Sequence, residues 1–148
     1  MPLSPPPIDA AGQVTPHDHE QLEAADVVIR RISPQWVVTE HDGRKRLSSQ
    51  AFEASSDGTG VSLDIEKLIV EQGQQPAQYV TSPKHPAAIS WSVGALRQQA
   101  ECFVGYDPLP DNPAHGAAWP KSKLKSNRSK KIIASAAWLV PMPGVDLG

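Results

Sequence analysis

The alternation of apolar and polar residues predicts a series of short strands and helices after residue 24. An apolar run within residues 26–32 predicts a buried strand that ends before Pro34. A second strand over residues 36–39 leads into Asp42 and Gly43. Asp-Gly between extended segments is a strong hairpin signal, because a type I′ turn needs positive φ at both central residues. The first part of the domain is therefore predicted to contain a β-hairpin.

Helix signals follow a loop that is rich in serine and glycine. Ser62 or Asp64 can cap a helix that ends at Gly73, and a second helix or turn begins near Pro76. Residues 88–93 alternate between apolar and small polar side chains, which predicts a half-buried strand.

The remaining third of the chain predicts a short helix over residues 94–101 and a strand over residues 102–106. Four prolines make residues 107–120 rigid and irregular. A closing helix is predicted from Ser126 or Asn127 to Leu139. Strands mixed with short helices favour an α+β fold. We expect a small, mainly antiparallel sheet with an N-terminal β-hairpin, two to three short helices and a C-terminal helix.

Composition separates residues 1–24 from this domain. The segment contains five prolines, four acids and neither lysine nor arginine, and it is poor in apolar residues. Such a stretch cannot bury enough apolar surface to offset its ordering entropy. We therefore predict a disordered acidic tail over residues 1–24 and a single compact α+β domain over residues 25–148.

Several functional classes are excluded or made less plausible by what the sequence lacks. It contains no phosphate-binding glycine loop, no dinucleotide-binding glycine pattern and no motif of zinc proteases or serine hydrolases. One cysteine, Cys102, cannot form an internal disulfide or build a cysteine-based zinc site. Neither a secretory signal nor a 20-residue apolar run is present. We expect a cytoplasmic protein of the bacterial type, with no assigned metal site and no identified cofactor.

The segment from Asp107 to His115 is the first candidate for chemistry. A loop stiffened by proline can hold polar side chains in place at little further entropy cost. The imidazole of His115 is a candidate catalytic acid or base, with Asp107, Asp111 and Asn112 orienting it or a substrate. The alternative is a structural turn in which Asp and Asn bond their own backbone.

Two arginines at the end of the first predicted strand are the second candidate. Because side chains alternate between the faces of a strand, either Arg30 or Arg31 must point toward the core or a cleft. A partly buried guanidinium needs an anion, either from the protein or from a ligand phosphate. We assign catalytic roles to Arg30 and Ser49, and anion binding to Arg31 and Ser48. The alternative is an internal ion pair, with the serines capping a turn.

An arginine on a first strand followed by a Ser-Ser segment resembles the ADP-ribosyltransferases. In that family such groups hold the nicotinamide dinucleotide, so the resemblance implies an NAD-like ligand. It covers about a sixth of the chain and lacks a matching catalytic glutamate. The sequence is therefore not assigned to the family.

The charge of the chain is −2 overall but is unevenly distributed. Six basic residues and no acid lie in residues 121–131, which we call the basic segment. We assign anion binding to Lys121, Lys123 and Lys125, helped by the start of the closing helix. The alternative is an ordinary solvated basic face. A metal site built from His41, His85 and His115 is a weaker possibility, because their spacing follows no ligand pattern.

Two hypotheses of different classes follow. In the first, the protein is a small enzyme that acts on a nucleotide or another phosphate-bearing substrate through arginine, serine and histidine groups. In the second, it is a non-catalytic binding module of a toxin–antitoxin, immunity or phage-defence pair, with a protein partner. An enzyme should bring His115, Arg30 and Ser49 into one concave pocket, whereas a module should leave them dispersed. The sequence does not determine the oligomeric state.

Overall fold

The computed structural model of the chain, which describes residues 3–148, has a six-stranded sheet as its centre. A second, three-stranded sheet lies beside it. In chain order the strands are β1 (Val27–Ile32), β2 (Val37–Thr39), β3 (Lys45–Leu47), β4 (Val61–Ile65), β5 (Ala87–Ser92), β6 (Cys102–Tyr106), β7 (His115–Pro120), β8 (Ala137–Val140) and β9 (Val145–Asp146). The α-helices are α1 (Glu66–Glu71), α2 (Pro76–Val80), α3 (Val93–Gln98) and α4 (Ser126–Ala134). Short 3-10 helices span Pro34–Trp36 and Ser49–Phe52.

The large sheet has the strand order β6-β7-β4-β1-β5-β8, and every neighbouring pair is antiparallel. The small sheet has the order β2-β3-β9, in which β9 joins in parallel. Short helices alternate with these strands. The predicted α+β fold with a mainly antiparallel sheet is thus confirmed.

The predicted hairpin forms between β2 and β3. Val37 lies opposite Leu47, and the Gly43 N–H donates to the Glu40 carbonyl at 3.0 Å. Gly43 has a φ of 87°, but Asp42 is not among the described residues with positive φ. The type I′ turn suggested by Asp-Gly is therefore wrong. The connection is longer than two residues, and such loops combine an ordinary turn with one left-handed glycine.

Two predicted helix boundaries need correction. Ser62 and Asp64, expected as helix caps, lie within β4, because that segment pairs with β1 on one side and β7 on the other. Helix α1 begins only at Glu66 and has no side-chain cap. The closing helix α4 ends at Ala134, and the sequence after it forms β8, where Trp138 lies opposite Ile89. Sheet pairing overrides local helix propensity at both places.

The predicted irregular stretch over residues 107–120 is also only partly irregular. Residues 107–114 form a loop, which we call the proline loop, and the rest forms strand β7 between β4 and β6. The prolines at 108, 110 and 113 stay within the loop. Pro120 ends the strand opposite Cys102, beyond the last position that pairs with β4. Prolines at the end of a strand are compatible with a sheet.

A buried aromatic contact joins the large sheet to α4. Trp91 on β5 packs edge-to-face on Phe52, with ring centroids 5.2 Å apart. The Trp91 indole N–H donates to the Ile132 carbonyl of α4 at 2.9 Å. Phe52 is fully buried. Through Trp91, strand β5 is thus packed against both the Ser49–Phe52 helix and α4.

The N-terminal segment, residues 3–24, lies along the outer edge of β6. The His19 N–H donates to the Val104 carbonyl at 2.9 Å, and the Asp18 carboxylate accepts the Val104 N–H at 3.0 Å. Arg97 of α3 donates to Asp18 and to the carbonyls of His19 and Leu22. The Leu22 side chain is only 1% exposed. The N-terminal segment is thus held against the edge of the sheet by specific hydrogen bonds to β6 and α3.

This placement differs from the disordered tail that the composition predicts. Average polarity hides the two leucines that enter the core, Leu3 and Leu22. The acid that accepts a hydrogen bond from the edge strand, Asp18, cannot be recognised without the fold. Residues 1 and 2 lie outside the described residues. No helix in residues 3–148 is long and apolar enough to span a membrane.

Candidate functional site

A polar cavity of about 640 Å³ opens where strands β1 and β4 separate. These strands pair at only two positions, the last being Ile29 opposite Asp64, whereas β1 pairs with β5 along its whole length. The two arginines at the end of β1 lie in the opening. The lining residues are Arg30, Arg31, Trp36, Ser62, Leu63, Asp64, Tyr79, His85, Leu109, Asp111, Asn112 and His115.

The centre of the cavity is a contact between Ser62 and His115. Strand pairing places His115 directly opposite Asp64, so that Ser62, two residues along β4, is its diagonal neighbour on the same face. The Ser62 hydroxyl oxygen lies 2.8 Å from His115 Nε2. Ser62 is exposed to the cavity, while His115 is 9% exposed. The serine hydroxyl and the imidazole therefore face the same space.

The bond at the other nitrogen determines the tautomer of His115. Its Nδ1 lies 2.8 Å from the Asp107 carbonyl oxygen. A carbonyl can only accept, so Nδ1 carries the hydrogen and Nε2 of the neutral ring accepts from Ser62. The Asp107 carboxylate oxygen Oδ2 also lies near the ring, 3.5 Å from Nδ1. The proline loop thus orients the histidine with its basic nitrogen toward Ser62.

Arg31 is held by a buried carboxylate. Its Nε and Nη2 donate to the two oxygens of Asp64 at 2.8 and 3.2 Å, and the Asp64 side chain is 4% exposed. Asn112 adds a third donor to Asp64 at 2.7 Å and accepts from the Tyr79 hydroxyl. This network ties the proline loop to β1, β4 and α2.

Arg30 bridges the gap between β1 and β4. Its Nε donates to the Ala51 carbonyl and its Nη1 to the Ser62 carbonyl, both at 3.1 Å, and its guanidinium lies over the Trp36 ring. Burial lowers the pKa of Arg30 to about 10, partly opposed by the charge of Glu53. Arg30 therefore remains charged at neutral pH beside Ser62.

His85 completes the polar wall. Burial lowers its pKa below the ordinary value, and the charges of Arg31, Arg30 and Lys84 lower it further, while Asp64 partly opposes them. The ring is consequently neutral at pH 7. Burial is the largest cause of this lowered pKa, and the neighbouring guanidinium groups add to it.

The structure brings together some of the residues that the sequence selected. Arg30, Arg31, His115, Asp111 and Asn112 all line the cavity. Asp107, the remaining residue predicted in the loop, contacts the His115 ring. A substrate in the cavity would meet these groups at once.

The predicted serine pair lies elsewhere. The Ser48 hydroxyl accepts the Gln50 N–H at 3.3 Å and caps the 3-10 helix that begins at Ser49. Neither serine is among the cavity residues. Ser62 is the serine that the sequence reasoning did not select. The polar residues Ser62 and Asp64 alternate with buried apolar neighbours, and that period of two could have revealed a strand with a polar face.

The basic segment lies outside the cavity. Lys121 and Lys123 line a separate, shallower depression, and Lys125 lines another one beside α3 and α4. The Lys121 ammonium lies 5.2 Å from the centre of the Phe103 ring. The structure therefore does not bring these three lysines to His115.

Two other possibilities can be located in the structure. Among the described residues, no group of three or more His, Cys, Asp or Glu side chains could hold a metal ion. His41 lies in the hairpin turn, outside the cavity. Cys102 is buried, and burial raises the pKa of its thiol to about 11, against the opposing charges of Arg128 and Lys121. Its thiol therefore stays protonated and unreactive at neutral pH.

No protein-family model, curated protein or solved structure matches the chain.

Proposed function

We propose that the protein is an enzyme that acts on a phosphate-bearing substrate, with a nucleotide as the expected class. One observation supports this most directly: Arg30, Arg31 and His115, which are far apart in the sequence, line a single cavity. The proposal includes a cytoplasmic location, in keeping with the single free cysteine.

The arginines are suited to an anion because part of each guanidinium is unused. Within residues 3–148, Nη2 of Arg30 and Nη1 of Arg31 have no hydrogen-bond partner, while the other nitrogens are fixed by the protein. Fixed guanidinium groups lose little freedom when a phosphate binds. They would also stabilise negative charge that develops on the phosphate oxygens.

His115 is suited to acid–base chemistry next to that anion. Its Nε2 faces the cavity, and its Nδ1 is fixed by the Asp107 carbonyl. A base oriented in this way can take a proton from a hydroxyl and return it to a leaving group. Its distance to Ser62 falls in the range that proton transfer requires.

Binding of phosphate-bearing probes tests the proposal. Inorganic phosphate, AMP, ADP and NAD would each be titrated by calorimetry, and hydrolysis products would be followed by chromatography. We expect at least one nucleotide to bind, Arg30→Gln to weaken it about tenfold, as expected for one charge-assisted hydrogen bond, and His115→Ala to spare binding while removing turnover.

The matched control changes Lys121 and Lys123 to Gln, since these cations lie outside the cavity. It should bind as the parent does. The proposal fails if no probe binds, or if the lysine variant loses binding and Arg30→Gln does not. Either result would favour the alternative, a non-catalytic module of a toxin–antitoxin, immunity or phage-defence pair.

A further inference from the structure

We infer that Ser62 is the nucleophile of this site and carries the transferred phosphoryl group as a covalent ester during turnover. The inference rests on the proposed function for its substrate class. It adds a reaction type, double displacement through a serine, and a residue that the sequence patterns did not indicate.

The first argument for Ser62 is the direction of the hydrogen bonds around His115. Asp107 accepts from His115 Nδ1, so Nε2 can only accept from the Ser62 hydroxyl at 2.8 Å. A hydroxyl that donates to an oriented imidazole, which is itself held by a third group, has the arrangement of an activated nucleophile. An ordinary surface serine has no such relay.

The second argument is the position of the Ser62 hydroxyl. Ser62 is exposed on the cavity side of β4, and the Arg30 guanidinium is anchored to its carbonyl at 3.1 Å. A phosphate held by the free arginine nitrogens would therefore lie beside the serine oxygen. Tyr79 also carries a hydroxyl that lines the cavity, but this hydroxyl donates its hydrogen to Asn112 instead of to a base.

The chemistry balances without a further reactant except water. Ser62 Oγ attacks phosphorus, its proton passes to His115 Nε2, and the bond from phosphorus to the leaving oxygen breaks as His115 returns the proton to that oxygen. Water then attacks the phosphoserine and gives a proton to His115, which returns it to Ser62 as the Oγ–P bond breaks. The net reaction is hydrolysis of a phosphate ester to an alcohol and phosphate.

A fluorophosphonate probe tests the nucleophile directly. Such a probe forms an Oγ–P bond and releases fluoride, and intact-mass spectrometry followed by peptide mapping identifies the modified residue. We expect one adduct, located on Ser62, and none in Ser62→Ala. Because a general base contributes roughly 100-fold or more, His115→Gln should slow labelling by at least that factor.

Two further variants keep the test independent of misfolding. Ser122→Ala removes an exposed serine of the basic segment and should label at the parental rate. Ser62→Cys should keep the parental melting temperature and become alkylated by iodoacetamide faster than the buried Cys102. A parent that is not labelled, or an adduct on another serine, overturns the inference.

The two proposals fail in different ways. Ser62→Ala should still bind the nucleotide, because the arginines hold the phosphate. Nucleotide binding without labelling of the parent overturns the nucleophile and leaves the proposed function standing. Labelling of Ser62 in a protein that binds no phosphate-bearing probe overturns the proposed substrate class and supports a serine nucleophile.

Discussion

The cavity and the basic segment both contain neighbouring cationic side chains, and they hold these charges differently. In the cavity, Arg31 is fixed by both oxygens of a buried carboxylate, and Arg30 is fixed by two backbone carbonyls. In the basic segment, Lys121, Lys123 and Lys125 are exposed, and their ammonium groups donate no hydrogen bond to the residues that the structure describes. The lysines outnumber the arginines, yet only the arginines have defined positions.

Local charge density in a sequence therefore does not locate a site. A run of lysines attracts anions, but each flexible side chain must lose freedom to hold one. The arginines have already lost that freedom on folding, because the protein uses part of each guanidinium. A specific ligand therefore favours the region with fewer, fixed charges, whereas the basic segment offers a salt-sensitive attraction.

The largest expected loss of stability comes from removing Arg31, the cation that is paired with a buried carboxylate. Arg31→Leu leaves the Asp64 carboxylate buried with Asn112 as its remaining side-chain donor. Breaking a buried ion pair in this way costs about 3–5 kcal/mol, and we expect a loss of that order in the free energy of unfolding measured with urea. Arg30→Leu should cost less, because its lost partners are neutral carbonyls.

A surface ion pair provides the control for that measurement. Arg44 contacts Asp42 at 3.2 Å, with side-chain exposures of 70% and 61%. Arg44→Leu should change stability by less than about 1 kcal/mol, as is usual for exposed pairs. Equal losses in the Arg31 and Arg44 variants would show that the cavity arginine is not fixed as described.

Removing Arg97, another arginine held by several hydrogen bonds, should give a loss of stability of intermediate size. Arg97 donates to Asp18 and to two carbonyls of the N-terminal segment. Arg97→Leu should destabilise the protein by about 2 kcal/mol, since several charge-assisted bonds are lost together. Thermal unfolding would measure it, and limited proteolysis should show faster cleavage before residue 24. An unchanged melting temperature with unchanged proteolysis would contradict the placement of the segment.

The predicted elements that the structure confirms are those decided by local pattern. Strand β6 and the apolar run of β1 occur at the predicted places, because buried strands need continuous apolar residues. Strand β4 was missed because Ser62 and Asp64 are also good helix caps. Only pairing with β1 and β7 decides between the two readings, and those strands lie far away in the sequence.

The candidate site was predictable in its charges but not in its central contact. Arg30, Arg31 and His115 attract attention because such residues are unusual next to apolar or proline-rich stretches. Ser62 becomes a candidate only because the register of β4 and β7 places it beside His115, which lies 53 residues later in the sequence. A serine carries no local signal of that kind. The placement of the N-terminal segment has no local signal for the same reason, since its hydrogen-bond partners are the Arg97 guanidinium and the backbone of β6.

Proton uptake by His85 should separate the two cationic regions in solution. Its pKa is lowered by burial and then by the cavity arginines. A phosphate bound between them would offset the arginines and raise that pKa, so binding should take up a fraction of a proton and strengthen as pH falls. Calorimetry in buffers of different ionisation enthalpy measures the uptake. His85→Gln should abolish it, and uptake that persists in this variant would assign the proton to another group.

The smallest effect on the fold is expected from the basic segment itself. Changing Lys121, Lys123 and Lys125 together to Gln removes three exposed charges, of which Lys121 contacts the Phe103 ring and none forms an ion pair within residues 3–148. Each such surface change is usually worth less than about 0.5 kcal/mol, so the urea midpoint should stay close to that of the parent.

The same variant tests what the lysines do for binding. A short oligonucleotide bound through them releases counterions, so its affinity falls as salt rises, and the triple variant should bind more weakly with a flatter dependence on salt. Binding of a mononucleotide in the cavity should be unchanged at high salt, where exposed charges are screened. If the triple variant lost mononucleotide binding at high salt, the lysines would have to reach the cavity. The distinction between fixed and solvated cations would then be lost, because both sets would act on one ligand. If the parent bound no oligonucleotide at low salt, the basic segment would be a solvated face, and fixed geometry would account for all anion binding by the protein.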